Sequence, residues 1–128
     1  MNVKVDKISE AEAEIMRVVW DHSGPVTYSH IRTVLTGQNG WESPTVNTLV
    51  NRLVKKGVLA QEKREVYYYT AVISEAEYTQ AKTESFIHKV YGGNAKGLMS
   101  ALISYGNVTE EDLVELRAQW RNGGEDYE

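Results

Sequence analysis

The feature that most constrains this chain is a change of period at Gly57. Before it, apolar residues recur at helical spacing; after it come two short runs rich in β-branched and aromatic residues. The last helical stretch, 43–56, carries two patterns at once. Val46, Leu49, Val50, Leu53 and Val54 mark a face that must be buried. The opposite face presents Thr45, Asn47, Thr48, Asn51 and Arg52, then Lys55 and Lys56. These side-chain types hydrogen-bond base edges and phosphates, so the segment reads as a DNA recognition helix. Ser43 is the expected N-cap, Pro44 sits in the first turn where a missing N–H does no harm, and Gly57 ends the helix.

Upstream, Ile8-Ser9-Glu10-Ala11-Glu12 has the form of a capping box that opens a helix through Ile15, Met16, Val19 and Trp20. His22-Ser23-Gly24-Pro25 should stop it. Thr27 is the expected cap of a shorter helix carrying Ile31, Val34 and Leu35, with Gly37 ending it before Gln38-Asn39-Gly40. Downstream of Gly57, Val58–Glu62 and Val66–Val72 predict two strands joined by a charged turn at Lys63-Arg64-Glu65. Three helices followed by a hairpin is the order of a winged helix-turn-helix, with Lys63 and Arg64 placed to meet phosphates. The expected fold is therefore mainly α, with a winged-helix DNA-binding domain at 1–73.

Residues 74–128 predict three more helices. Ser74-Glu75-Ala76-Glu77 repeats the capping-box signature and opens a helix that should run to Gly92-Gly93. Ala95, Leu98, Met99, Leu102 and Ile103 have the spacing of the next, and Thr109-Glu110-Glu111-Asp112 caps the last; past Asn122 a polar tail is expected. So short a bundle lacks the length to enclose its own apolar stripes. Phe86, Ile87, Val90, Tyr91, Leu98, Met99, Leu102, Ile103, Leu113, Leu116 and Trp120 are accordingly the expected dimerisation surface, since a second copy covers such a patch most simply.

Net charge is −4, which argues against a nucleic-acid binder until it is divided. Residues 1–73 hold nine basic and eight acidic side chains, whereas 74–128 hold five and ten. The acidity belongs to the C-terminal part, and a local positive field survives around the recognition helix and hairpin. Without cysteine there is no disulfide, thiolate metal site or cysteine nucleophile. His22, His30 and His88 show no metal-ligand spacing, and no phosphate loop or nucleophile elbow occurs. Neither enzyme, cofactor nor metal is expected. No apolar run would span a bilayer, and Met1-Asn2-Val3-Lys4-Val5-Asp6 lacks the apolar core of a signal peptide, which makes the cytoplasm the expected compartment.

Taken in order, Ile8-Ser9-Glu10-Ala11-Glu12 with Ile15-Met16 and Val19-Trp20, Thr45-Val46-Asn47-Thr48-Leu49 with Arg52-Leu53, Lys55-Lys56-Gly57 and Tyr91-Gly92-Gly93 resemble the BlaI/MecI/CopY (penicillinase repressor) family of bacterial transcriptional repressors. The resemblance covers nearly the whole length. It implies a cytoplasmic homodimer that binds double-stranded palindromic operators of the TACA/TGTA type and blocks transcription of a resistance or metal/stress-response operon. It also implies that Thr45, Asn47, Thr48 and Arg52 face DNA. Pro44 stands where relatives often have lysine. Copper-responsive members carry a cysteine-rich tail that this chain lacks; β-lactam-responsive members are cut at an Asn-Phe bond, and Ala101-Leu102 stands there instead. A regulatory protease and a small effector are both open as further partners.

A solvated face is the plain alternative for the polar side of 43–56. Merely exposed faces usually carry Glu, Lys and Ala, however, whereas Thr and Asn lower helix propensity, so a use other than solubility is expected. For Tyr67, Tyr68 and Tyr69, strand packing is preferred over base stacking. The rival to a repressor is a winged helix that contacts protein rather than sequence-specific DNA.

Overall fold

The computed structural model describes residue 5 and residues 7–126. Six helices and a small sheet follow one another as α1 (Glu10–Asp21), β1 (Val26–Thr27), α2 (Tyr28–Asn39), α3 (Ser43–Lys56), β2 (Leu59–Lys63), β3 (Tyr67–Ala71), α4 (Glu75–Tyr91), α5 (Ala95–Ser104) and α6 (Glu110–Asp126). They form two compact units, 1–85 and 86–128, whose boundary falls inside α4.

In the first unit the helix starts are set by local hydrogen bonds. At α1 the Ser9 hydroxyl accepts from the Glu12 amide at 3.1 Å while the Glu12 carboxylate accepts from the Ser9 amide at 2.8 Å, completing the expected box. Thr27 caps α2 by accepting from the His30 amide. That helix continues through Gly37 to Asn39, three residues beyond the expected stop, because Gly40 takes the left-handed conformation (φ 68°) that closes it. Glu42, not Ser43, occupies the N-cap position of α3 and makes no side-chain cap bond. Ser43 thus lies inside the first turn, beside Pro44.

The core is the convergence of one stripe from each helix. Ile15, Met16 and Val19 of α1, Ile31 and Leu35 of α2, and Val46, Leu49, Val50 and Leu53 of α3 are buried together with Val58, Leu59 and Tyr69. Burying side chains of this size stabilises the unit by about 2 kcal/mol each. The sheet order is β1-β3-β2, antiparallel throughout. β2 and β3 pair from Leu59 with Ala71 to Lys63 with Tyr67, which is the expected hairpin. β1 was not expected: its two residues pair with Tyr68 and Tyr69, a long-range contact that leaves no local period to read. The α1 end is tied to the segment after the hairpin by Trp20, whose indole N–H donates to the Ile73 carbonyl at 3.0 Å and whose ring lies 5.2 Å from that of Tyr78. Lys82 adds a bond from its ammonium to the Ile8 carbonyl at 3.1 Å, so the first half of α4 packs on the winged helix.

In the second unit, Asn94 caps α5 through the Gly97 amide, and Thr109 and Asp112 bond each other's amides at the start of α6. The Thr109 amide, followed by its hydroxyl, holds the Asp112 carboxyl below its usual range. α6 stays helical to Asp126, past the expected tail start at Asn122; residues 127 and 128 of that tail lie outside the described residues. No described residue from 86 to 122 is buried.

Candidate nucleic-acid interface

The buried stripe of α3 fixes which side of the helix faces outward. With Val46, Leu49, Val50 and Leu53 locked into the core, Ser43, Thr45, Asn47, Thr48, Asn51, Arg52 and Lys55 are all exposed. Among the described residues, the side chains of Thr45, Asn47, Asn51, Arg52 and Lys55 form no hydrogen bond or ion pair. Thr48 is different. Its hydroxyl donates to the Pro44 carbonyl one turn back at 2.9 Å. Pro44, Thr45, Thr48, Leu49 and Arg52 together line a shallow open concavity along this face.

Lys56, expected among the phosphate contacts, is turned inward. Its ammonium lies 2.6 Å and 2.8 Å from the two carboxylate oxygens of Glu12 and 2.6 Å from the Lys7 carbonyl. The charge is therefore neutralised within the fold, because Glu12 is a buried carboxylate that needs a counter-ion more than a distant phosphate does. Burial alone pushes the Glu12 carboxyl up. The bond from Lys56 and those from Ser9 outweigh it, and the net result is a value below the ordinary glutamate range.

At the hairpin tip, Lys63 and Arg64 are exposed as expected, and each is supported by a tyrosine. The Lys63 ammonium lies 5.9 Å from the Tyr67 ring centroid, and the Arg64 guanidinium lies 4.9 Å from that of Tyr68. Arg64 also donates to Glu62 at 3.0 Å, which raises its own proton affinity, the hydrogen bond contributing more than the charge. The tyrosines thus have separate uses: Tyr69 is core and accepts from Gln61, whereas Tyr67 and Tyr68 carry cations. Trp41 packs against the core just ahead of α3.

Tyr28 was missed by sequence reading. Its hydroxyl donates to the Ser43 carbonyl at 3.1 Å and ties the start of α2 to the start of α3. His22 and His30, which showed no shared spacing, come together with ring centroids 5.1 Å apart. Among the described residues, no group of three or more His, Cys, Asp and Glu is arranged to hold a metal ion, and no helix is long and apolar enough to cross a membrane.

A third helix with an open polar face, a second helix tied to its start and a hairpin with cations at its tip define a winged-helix protein. The penicillinase repressor family model matches residues 8–122, and the chain belongs to that family. It is 33% identical over 114 residues to the penicillinase repressor of Bacillus licheniformis, covering 88% of each chain. It is 28% identical over 118 residues to the methicillin resistance regulatory protein MecI of Staphylococcus aureus (strain N315), covering 91% of this chain and 95% of that one. The solution structure of the monomeric form of Bacillus licheniformis BlaI in complex with the blaP half-operator superposes with a TM-score of 0.51 at 37% identity, over 56% of this chain and 88% of that one. The family is one of repressors rather than enzymes, in keeping with the absence of a catalytic motif in the sequence.

Proposed function

We propose that this protein is a transcriptional repressor that binds a palindromic operator of the TACA/TGTA type as a homodimer in the cytoplasm and blocks polymerase. The observation that carries the reading is the division of α3 into a fully packed apolar face and an exposed polar face whose Thr45, Asn47, Asn51 and Arg52 side chains have no partner among the described residues. Thr45, Asn47 and Thr48 are the base-reading candidates, and Arg52 contacts a guanine edge or a phosphate. Ser43, Asn51, Lys55, Lys63 and Arg64 meet the backbone. Lys56 is left out, since Glu12 already holds it.

Dimerisation is supported by the unburied second unit. Phe86, Val90, Met99, Ile103, Leu116 and Trp120 expose large apolar surfaces, Trp120 to 79%. Ile87, Tyr91, Leu98, Leu102 and Leu113 are half-buried beside them. A patch of this extent requires a cover, and two-fold pairing would set two recognition helices about 34–36 Å apart, one turn of B-DNA. A helical dimerisation region beginning near 74 would share α4 with the winged domain. Release by a regulatory protease or small effector fits the family's relation to resistance, although cleavage at Ala101-Leu102 would need a different side-chain preference from an Asn-Phe bond.

The test is a mobility-shift titration of the full chain against TACA/TGTA palindromic and scrambled duplexes. Tight binding to the palindrome, lost on scrambling and weakened by about 1–3 kcal/mol in Arg52→Ala, is the expected result. Equal, weak binding to both duplexes would favour a protein-contact module instead.

A further inference from the structure

Two lysines from different helices close on consecutive carbonyls of the short segment ahead of α1. The Lys56 ammonium, in the last turn of α3, lies 2.6 Å from the Lys7 carbonyl, and the Lys82 ammonium, on α4, donates to the Ile8 carbonyl at 3.1 Å. The segment itself has little room to give way. Ile8 is buried in the core, its amide donates to the Val5 carbonyl at 3.1 Å, and the Ser9 amide donates to the Glu12 carboxylate that also holds Lys56. Residues 7–9 are thus a strap fastened on one side to α3 and on the other to α4. Lys82 is placed by its neighbours: its ammonium stands 5.7 Å from the Tyr78 ring centroid, and that ring lies against Trp20 of α1. Yet α4 does not close fully on α1, since an open groove of about 540 Å³ runs between them, with Ala13, Arg17, Tyr78, Thr79 and Lys82 in its lining. Where side-chain packing is incomplete, the bond from Lys82 to the strap fixes the register of α4 against this end of the winged helix.

We propose that Lys82 is a positioning residue for operator recognition: through the 7–9 strap it fixes the C-terminal end of α3, and so couples the base-reading face to the helix that continues into the second unit. The inference rests on the DNA-binding reading above. α3 is 14 residues long. At about 1.5 Å per residue it is a rod of about 21 Å, and a shift of about 1 Å at one end, taken about a pivot in the core, moves the other end by a similar distance, past the ~0.5 Å tolerance of a placed hydrogen-bonding group. Thr45, Asn47 and Thr48 stand toward that other end. Phosphate contacts by long, flexible side chains tolerate such a shift, so the strap protects selectivity more than affinity for DNA in general.

The experiment is a fluorescence-anisotropy titration of the full chain and its Lys82→Met and Lys82→Arg variants against a TACA/TGTA palindrome, its isolated half-site and a scrambled duplex over a range of salt, with urea unfolding to establish that each variant is folded. Lys82→Met should weaken binding to the palindrome and to the half-site by roughly three- to tenfold while binding to the scrambled duplex changes by less than about twofold. Lys82→Arg keeps a donor for the Ile8 carbonyl and should restore selectivity. Because Lys82 acts through the strap and not on a phosphate, the salt slope of Lys82→Met should equal that of the unaltered chain. Amide hydrogen exchange in the last turn of α3 should quicken in the same variant. Unchanged selectivity or unchanged exchange in folded Lys82→Met, with the unaltered chain still selecting the palindrome, overturns the strap assignment alone. A slope lowered by about one overturns it by indicating direct phosphate contact, and a loss confined to the full palindrome overturns it by placing Lys82 in the pairing of copies. If the unaltered chain selects no duplex, the underlying reading and this inference fall together.

Discussion

Lys56 and Glu12, 44 residues apart in sequence, form a partly buried ion pair that joins the last turn of α3 to the first turn of α1. Glu12 is shared, since the same carboxylate completes the capping box with Ser9. The C-terminal end of α3 is therefore anchored by a side chain that looks, in sequence, like one more surface lysine.

Removing either partner should have unequal effects. Lys56→Met strands a buried carboxylate and should destabilise the winged helix by about 2–3 kcal/mol, below the usual range for a buried pair because Lys56 is partly exposed. Glu12→Gln keeps an acceptor for the Ser9 amide and should cost about 1 kcal/mol. Urea unfolding of both variants and the double variant measures the coupling, which should make the double loss smaller than the sum.

The same pair gives stability a pH dependence. The Glu12 carboxyl is held lower in the fold than in the unfolded chain, so its contribution is fully present above the ordinary glutamate value and lost as pH falls through its own depressed one. Urea midpoints taken at descending pH should fall more steeply across this acid window in the unaltered protein than in Glu12→Gln. Parallel curves would assign the acid loss to other groups.

Glu62 should restrain DNA binding. It pairs with Arg64 at the exposed hairpin tip and offsets part of the charge offered to phosphates. Glu62→Gln is expected to tighten binding to any duplex by roughly two- to fivefold at low salt, with the gain fading as salt rises. A titration at two salt concentrations checks both parts.

Pairing of copies should fail when charge is placed on the apolar faces of the second unit. Val90→Asp and Trp120→Glu alter exposed side chains, so the subunit should stay folded while its mass by light scattering falls to that of one chain. Affinity for a full palindrome should then drop toward that for a half-site.

Much of this architecture is local in origin and could be read from the sequence. The Ser9–Glu12 box, the Thr27 cap, the apolar stripe of α3 and the strands on either side of Lys63-Arg64-Glu65 each depend on residues a few positions apart. What escaped reading depends on residues that the fold brings together rather than on local spacing. β1 exists because Val26 and Thr27 meet Tyr69 and Tyr68; Lys56 turns inward because Glu12 is there; and His22 meets His30 through the turn between α1 and α2. The N-cap of α3 was displaced for a subtler reason. Both Glu42 and Ser43 precede Pro44, and extended backbone at Glu42 (φ −81°, ψ 156°) starts the helix one residue before the better capping side chain.

The bond from Thr48 to the Pro44 carbonyl decides what that threonine can say to a base. With its single hydroxyl hydrogen directed into its own helix, Thr48 would offer the groove of the proposed complex only lone pairs and a methyl group. It can receive the exocyclic amino group of adenine or cytosine, or rest against the 5-methyl of thymine, but it has nothing to give to the O6 and N7 of guanine.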